Sequence, residues 1–181
     1  DGKIKRGDGD FIDAALWFSD LRDFTHLTET LPPADILAML NTYFELVSHA
    51  VTARGGEILR FIGDAMLIVF PAEDAGKTTA CQNALDAAFD AHSALDVLNM
   101  RRRRNGEVIY GNVGAPDRLD FTVMGPAVNR TARLEGLTKT LGRSILLSKK
   151  FSERVNHASE SLGFHKMKGV AQDQEVFGLI D

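Results

Sequence analysis

Two aspartates stand where folding could bring carboxylates together. Asp20 closes an apolar run, Phe11 to Ser19, and Asp64 follows Gly63 between two further apolar runs. Carboxylates about 4 Å apart repel by ~1 kcal/mol in water and ~4 kcal/mol at a protein-like dielectric. A hard divalent cation, Mg²⁺ or Mn²⁺, would compensate that repulsion, because it prefers carboxylate oxygens. The plainer alternative is that Asp20 caps the next segment and Asp64 fills a turn. Asn129 and Arg133 are four apart on a predicted helix and so share one face. Arg133 offers a permanent charge and a planar fork of donors on that face; the alternative is a surface arginine on a solvated helix. No Ser, Cys and His set suggests a nucleophilic triad. The one cysteine, Cys81, lies in an Ala-rich helical stretch and reads as a small core residue. The histidines are too scattered for a zinc site.

These residues need elements to position them. The run 11–19 reads as a buried strand that delivers Asp20 at its end. Pro32-Pro33 opens a helix with Ile36, Leu37, Leu40, Phe44, Val47 and Val51 at helical spacing, and Gly55-Gly56 stops it. Residues 57–62 and 65–70 read as strands joined by Gly63-Asp64, a two-residue hairpin turn with Asp64 at its tip. An Ala-rich helix is predicted from Asp74 to about Asn99, running into Arg101-Arg102-Arg103-Arg104. Short strands are predicted at 108–113 and 121–123. A helix follows from Pro126 to about Thr138 with Gly142 just past it, then strands at 144–147, 162–167 and 175–179. The order matches the βαββαβ pattern of a ferredoxin-like α+β fold, here with added C-terminal strands and helices. That fold hosts many functions and settles none alone.

The whole chain narrows the field. Its 181 residues suit one domain, with residues 1–10 read as a frayed segment and 11–181 as the folded unit. A net charge of −4 offers no global basic field for nucleic acid. The Arg101–Arg104 run has no aromatic stacking platform beside it and reads as a solvated helix end. No apolar run approaches the ~20 residues of a membrane span, so no membrane contact is expected from this stretch. A cytoplasmic location is expected, alone or as the cytoplasmic part of a longer sensor or membrane protein.

Four segments, in order, resemble the class III nucleotidyl cyclases of bacterial type. Phe18-Ser19-Asp20-Leu21-Arg22-Asp23-Phe24-Thr25 is similar to that family's "D-hydrophobic-R-G-F-T" signature. Phe61-Ile62-Gly63-Asp64-Ala65 resembles its hairpin, Glu107-Val108 with Gly111-Asn112-Val113-Gly114 its "GEV…GNVG" strand, and Gly125 to Glu135 its "VN…R-LE" helix. The resemblance implies an adenylate cyclase converting ATP to 3′,5′-cyclic AMP and pyrophosphate. It implies two Mg²⁺ or Mn²⁺ ions held by Asp20, Asp64 and the backbone carbonyl of Leu21, in two-metal catalysis. It assigns Asn129 to the ribose oxygen and Arg133 to the α-phosphate. It also implies a homodimer whose active sites are shared between chains.

Several positions depart from the family. Where adenylyl members place a base-reading Lys, this chain has Arg60; the partner position is Thr122, as in many bacterial members. Guanylyl members place Glu and Cys there, so ATP is favoured over GTP. Lys168 is an approximate match to a triphosphate-contacting lysine. The glycine of "RGFT" is Asp23, an added carboxylate that could weaken triphosphate binding or add a metal contact. About a dozen residues expected before Glu107 are missing, through deletion or through omission from the chain given; omission is favoured, since losing a strand would open a sheet edge. The alternatives are a nucleotide-binding regulatory module that no longer catalyses, or a guanylate-specific cyclase. A diguanylate cyclase or polymerase-like palm ranks lower, because the Gly-Gly-acidic-acidic-Phe hairpin of diguanylate cyclases is absent.

Overall fold

The structure, a computed structural model, describes residues 12–72, 76–105 and 126–180. The strands expected at 108–113 and 121–123, Thr122 and the expected gap before Glu107 lie outside the described residues.

Strand β1 (Ala14–Ser19) leads through α1 (Phe24–Thr30) into the long α2 (Pro33–Ala53). Strands β2 (Glu57–Ile62) and β3 (Ala65–Pro71) follow, then α3 (Gly76–Asn105). The three strands form one antiparallel sheet in the order β1-β3-β2. The remainder is α4 (Pro126–Glu135), α5 (Thr138–Leu141), β4 (Leu146–Ser148), α6 (Lys149–Ser152), β5 (Ser159–His165) and β6 (Gln174–Leu179). Its strands make a second antiparallel sheet, β4-β6-β5. The mixed helix-and-sheet class expected from the sequence is the observed one.

Central strand β3 is buried at six of its seven positions. Met66, Ile68 and Phe70 face a helical layer in which α2 contributes Tyr43, Val47, Ala50 and Val51, and α3 contributes Ala80, Ala84, Leu85, Ala87 and Ala91. The many alanines let α3 approach the sheet closely. The sequence pattern named the right helix in α2 but not its whole inward face: Leu37 is 53% exposed, while Ala38, Tyr43 and Ala50 are buried. Pro33 at the first helical turn and Gly55 at φ 74° bound α2 as expected. Gly56 then brings the chain against the core: a Cβ there would stand 2.6 Å from the Phe70 ring and 2.8 Å from Val51 Cγ1. Arg54 ties the end of α2 to α3 through Asp86 at 3.1 Å and Asp90 at 2.9 Å.

Several elements differ from the expectation, among them α6 (Lys149–Ser152), which was not expected, and β5, which spans Ser159–His165 rather than 162–167. Residues Phe24–Thr30 form α1, which no periodicity announced. Helix α4 ends at Glu135 rather than near Thr138, and α5 is a separate turn closed by Gly142 at φ 64°. Helix α3 continues through the arginine run to Asn105, which places that run at a helix end. Cys81 is buried, and that burial pushes its thiol pKa up, so it is the core residue expected.

Candidate active site

The site begins with strand register. Strand β1 pairs with β3 from Ala14–Pro71 to Ser19–Met66. Extending that register by one residue brings Asp20 level with the start of β3, where Asp64 stands in the two-residue turn after Gly63. Gly63 takes φ 65°, a conformation that the hairpin turn requires and that favours glycine. Two carboxylates far apart in sequence thus meet at one end of a sheet whose central strand is packed on both sides.

Their proximity is visible in the acidity of Asp20. Its pKa is pushed up to about 7, by partial burial first and then by a hydrogen bond to the Asp64 carboxyl and the charges of Asp64 and Glu135. The Leu21 amide donates to Asp20 Oδ1 at 2.9 Å and opposes the shift. Glu135, at the end of α4, also has a raised pKa, through burial and then the Asp64 charge, with a Thr138 hydrogen bond opposing. Behind the pair, the Ser19 and Tyr43 hydroxyls are hydrogen-bonded to each other. Burial, reinforced by the charges of Asp20, Asp64 and Glu135, pushes the Tyr43 hydroxyl pKa up and keeps it protonated. Burial and neighbouring carboxylates thus make the ionised forms of Asp20 and Glu135 costly.

That cost is the test of fit for a divalent ion. The donors are hard carboxylate oxygens at close range, the set Mg²⁺ or Mn²⁺ prefers. Among the described residues, no group of three or more His, Cys, Asp or Glu side chains is disposed as a complete metal cage. An ion here would draw its other ligands from water, backbone and substrate, the usual state of bound Mg²⁺. The pair lines a cleft of about 480 Å³ together with Leu21, Asp23, Thr25 and Lys139. That volume suits a small ligand.

Asp23, weighed on sequence as a carboxylate that could weaken triphosphate binding or add a metal contact, is paired with a lysine in the structure. It adopts φ 59°, the left-handed region, which accounts for a glycine at this position in similar sequences. Its carboxylate makes no cap bond to α1 and instead accepts from Lys139 Nζ at 2.5 Å. That hydrogen bond is the main cause of its lowered pKa.

The other site candidates are not gathered here. Arg60 is exposed on β2, just after an irregularity in the pairing with β3. Asn129 and Arg133 lie on the exposed face of α4, while Val128, Ala132 and Glu135 are partly covered. Lys168 is exposed in the turn between β5 and β6, beside Gly169 at φ 80°. None of these four lines the cleft of the aspartates. Sequence reasoning missed Tyr43, Glu135 and Lys139. Glu135 had a signal, since it closes the quoted helix motif; Tyr43 and Lys139 had none.

The fold and the paired aspartates define a nucleotidyl cyclase type of domain, and comparison with known proteins agrees. Residues 9–180 match the family model of the adenylate and guanylate cyclase catalytic domain, so the chain belongs to that family. It is 34% identical over 160 residues to adenylate cyclase 1 of Rhizobium meliloti, covering 77% of this chain and 24% of that protein. It is 36% identical over 150 residues to an adenylate cyclase of Anabaena cylindrica, covering 74% and 29%. The chain thus spans less than a third of the length of these relatives. The fold resembles the adenylyl cyclase CyaB of P. aeruginosa, with a TM-score of 0.77, 24% identity and 93% of each chain covered. It also resembles the guanylyl cyclase Cya2, with a TM-score of 0.72, 24% identity and 93% of each chain covered.

Proposed function

We propose that this domain is an adenylate cyclase, converting ATP to 3′,5′-cyclic AMP and pyrophosphate at sites shared between two copies of the chain. The observation that carries the proposal is the division of the candidate residues. Asp20 and Asp64 converge in one cleft, while Asn129, Arg133, Arg60 and Lys168 stand exposed outside it. A site between two copies would reunite them, the carboxylates from one chain and the exposed groups from the other.

Asp20, Asp64 and the Leu21 carbonyl would hold two Mg²⁺ or Mn²⁺ ions. Bound there, the ions supply a lowered pKa for the ribose 3′-hydroxyl and neutralise the polyphosphate. In the reaction the 3′-oxygen bonds to the α-phosphorus, the bond to the β-phosphate oxygen breaks, and pyrophosphate leaves. Asn129 orients the ribose, and Arg133 stabilises charge developing on the α-phosphate, a task worth ~10³ to 10⁵ in rate for comparable arginines. Arg60 and Thr122 read the adenine, and Lys168 contacts the triphosphate.

Two inactivated variants test this. Asp64→Ala and Arg133→Ala should each reduce cyclic AMP formation by at least about 10³-fold. Mixed in equal amounts and allowed to exchange, they should recover about a quarter of wild-type activity, through dimers with one intact site. No recovery, with exchange verified by tagged subunits, would refute the shared site. Assaying GTP beside ATP tests the guanylate alternative.

A second reading, a regulatory module that binds nucleotide without cyclising it, is favoured by the Asp23–Lys139 pair at the cleft. It requires that ATP with Mn²⁺ binds and releases no cyclic product.

A further inference from the structure

Among the described residues Lys139 is the one lysine or arginine that lines the aspartate cleft, whose lining also includes Asp20, Asp23, Glu29 and Asp64. Its backbone is fixed by a short turn: the Leu141 amide donates to Leu137, the Arg143 amide donates to Thr138, and Gly142 closes the turn. The Lys139 side chain is 76% exposed and the Asp23 side chain 54% exposed, yet they are paired at 2.5 Å. Two features mark this contact as more than a chance surface pair. Asp23 holds a left-handed backbone that few residues other than glycine accept. It also sits at the start of α1, where an aspartate ordinarily caps the helix, and it makes no such bond.

Resting on the cyclase reading, we infer that Lys139 is a polyphosphate-binding residue that Asp23 holds in reserve, so that the pair acts as a latch on the cleft. An exposed ion pair is weak and is readily exchanged for a stronger one. A polyphosphate brings several negative charges and many acceptor oxygens to the same ammonium. Its arrival would transfer Lys139 from the Asp23 carboxylate to a phosphate oxygen, and Asp23 would return to solvent. The affinity of the cleft for polyphosphate is then reduced by the competition from Asp23. The latch admits a ligand able to outbid one carboxylate and disfavours a monoanion.

The test is titration calorimetry with inorganic tripolyphosphate and Mg²⁺ on the wild-type chain and three variants. Asp23→Asn is the right probe, because Asn tolerates the left-handed backbone and removes only the charge. It should tighten binding about threefold or more. Lys139→Gln should weaken binding by a similar factor. The double variant should match Lys139→Gln, since freeing the lysine helps only when the lysine is present. If Asp23→Asn tightens binding equally in the Lys139→Gln background, Asp23 acts as a general repulsive charge and the latch is refuted. It is refuted equally if Lys139→Gln changes nothing, or if none of the four proteins binds. The cyclase reading is tested apart from this: the calorimetric pattern could hold while ATP yields no cyclic product, and cyclic product could form while the pattern fails.

Discussion

Among the described residues the two sheets share one plan, a central strand with an antiparallel neighbour on each side, but they differ in what surrounds them. In the first sheet β3 is buried at six of seven positions, under α2 and α3. In the second, central strand β6 is buried only at Val176 and Gly178. The second sheet is laced at its surface by Arg143–Glu160 at 2.5 Å and Lys149–Glu175 at 2.9 Å, and Phe164 on β5 is 69% exposed. The difference follows what each sheet carries. Asp20 and Asp64 are hydrogen-bonded while they share a proton and repel once both ionise, so firmly packed strands help to hold them close. Lys168, the residue proposed to contact the triphosphate, stands exposed in the turn after β5. A firm support under the carboxylate pair and an open support under the exposed lysine are both physically sensible.

The comparison is most exposed to refutation in the two cores. Phe70, 1% exposed on β3, packs in the main cluster. Phe70→Ala should cost ~3–5 kcal/mol of unfolding free energy. Val176, fully buried on β6, loses less apolar surface, and Val176→Ala should cost about 2 kcal/mol. Urea unfolding followed by circular dichroism would read both. Phe70→Ala should also weaken Mn²⁺ binding at the aspartates, and Val176→Ala should leave it unchanged. Equal losses of metal binding would mean that the first sheet does not have the special supporting role argued for it.

Much of this contrast was legible in the sequence. Pro33 and Gly55 marked α2, and the Gly63-Asp64 turn between two apolar runs marked the hairpin. The reason is physical: turn glycines and helix-opening prolines act locally and need no tertiary partner. Helix α1 was not legible. Phe24–Thr30 is short, carries three threonines, has no side-chain cap, no fully buried residue and no basic residue at its end, so neither periodicity nor a terminal signal announces it. Tyr43 and Lys139 were invisible for a related reason. The Ser19–Tyr43 bond joins residues 24 apart and the Lys139–Asp23 bond joins residues 116 apart, and only the completed fold brings them together. Asp23 lies between these cases. Its position was marked as one where similar sequences hold glycine, and its left-handed backbone gives the cause.

A smaller effect sharpens the account of the carboxylate pair. Asp20 has its folded pKa raised to about 7, against an ordinary value near 4. A raised carboxyl favours the protonated form in the folded state. Its contribution to stability is therefore fully present below the unfolded pKa and is lost as pH rises through about 7. Without metal, the wild-type melting temperature should fall more steeply than that of Asp20→Asn between about pH 4 and pH 7, the span from the unfolded to the folded pKa, and run parallel to it above about pH 8. Glu135 is also raised and adds a slope of the same sign, but it is retained in both proteins and cancels in the difference. Saturating Mg²⁺ should reverse the trend for the wild type, because the ion binds the deprotonated form. Parallel slopes in the two proteins between about pH 4 and pH 7 would show that Asp20 is not held against Asp64 by the fold.

The smallest effect lies at the rim of the second sheet. Glu160 accepts from Arg143 with its side chain 48% exposed, and the arginine is 35% exposed. An ion pair this open contributes little, because water screens both partners and ordering two long side chains costs entropy. Glu160→Gln keeps the shape and an acceptor oxygen, so only the charge is tested. It should shift the unfolding free energy by less than about 1 kcal/mol, leave the urea slope unchanged, and lose even that effect in high salt. A loss of 3 kcal/mol or more (roughly the scale of breaking a buried pair) would mean that the second sheet is held by charge rather than by its few buried side chains. The two sheets would then differ in the kind of force that holds them, and not only in how tightly they are packed.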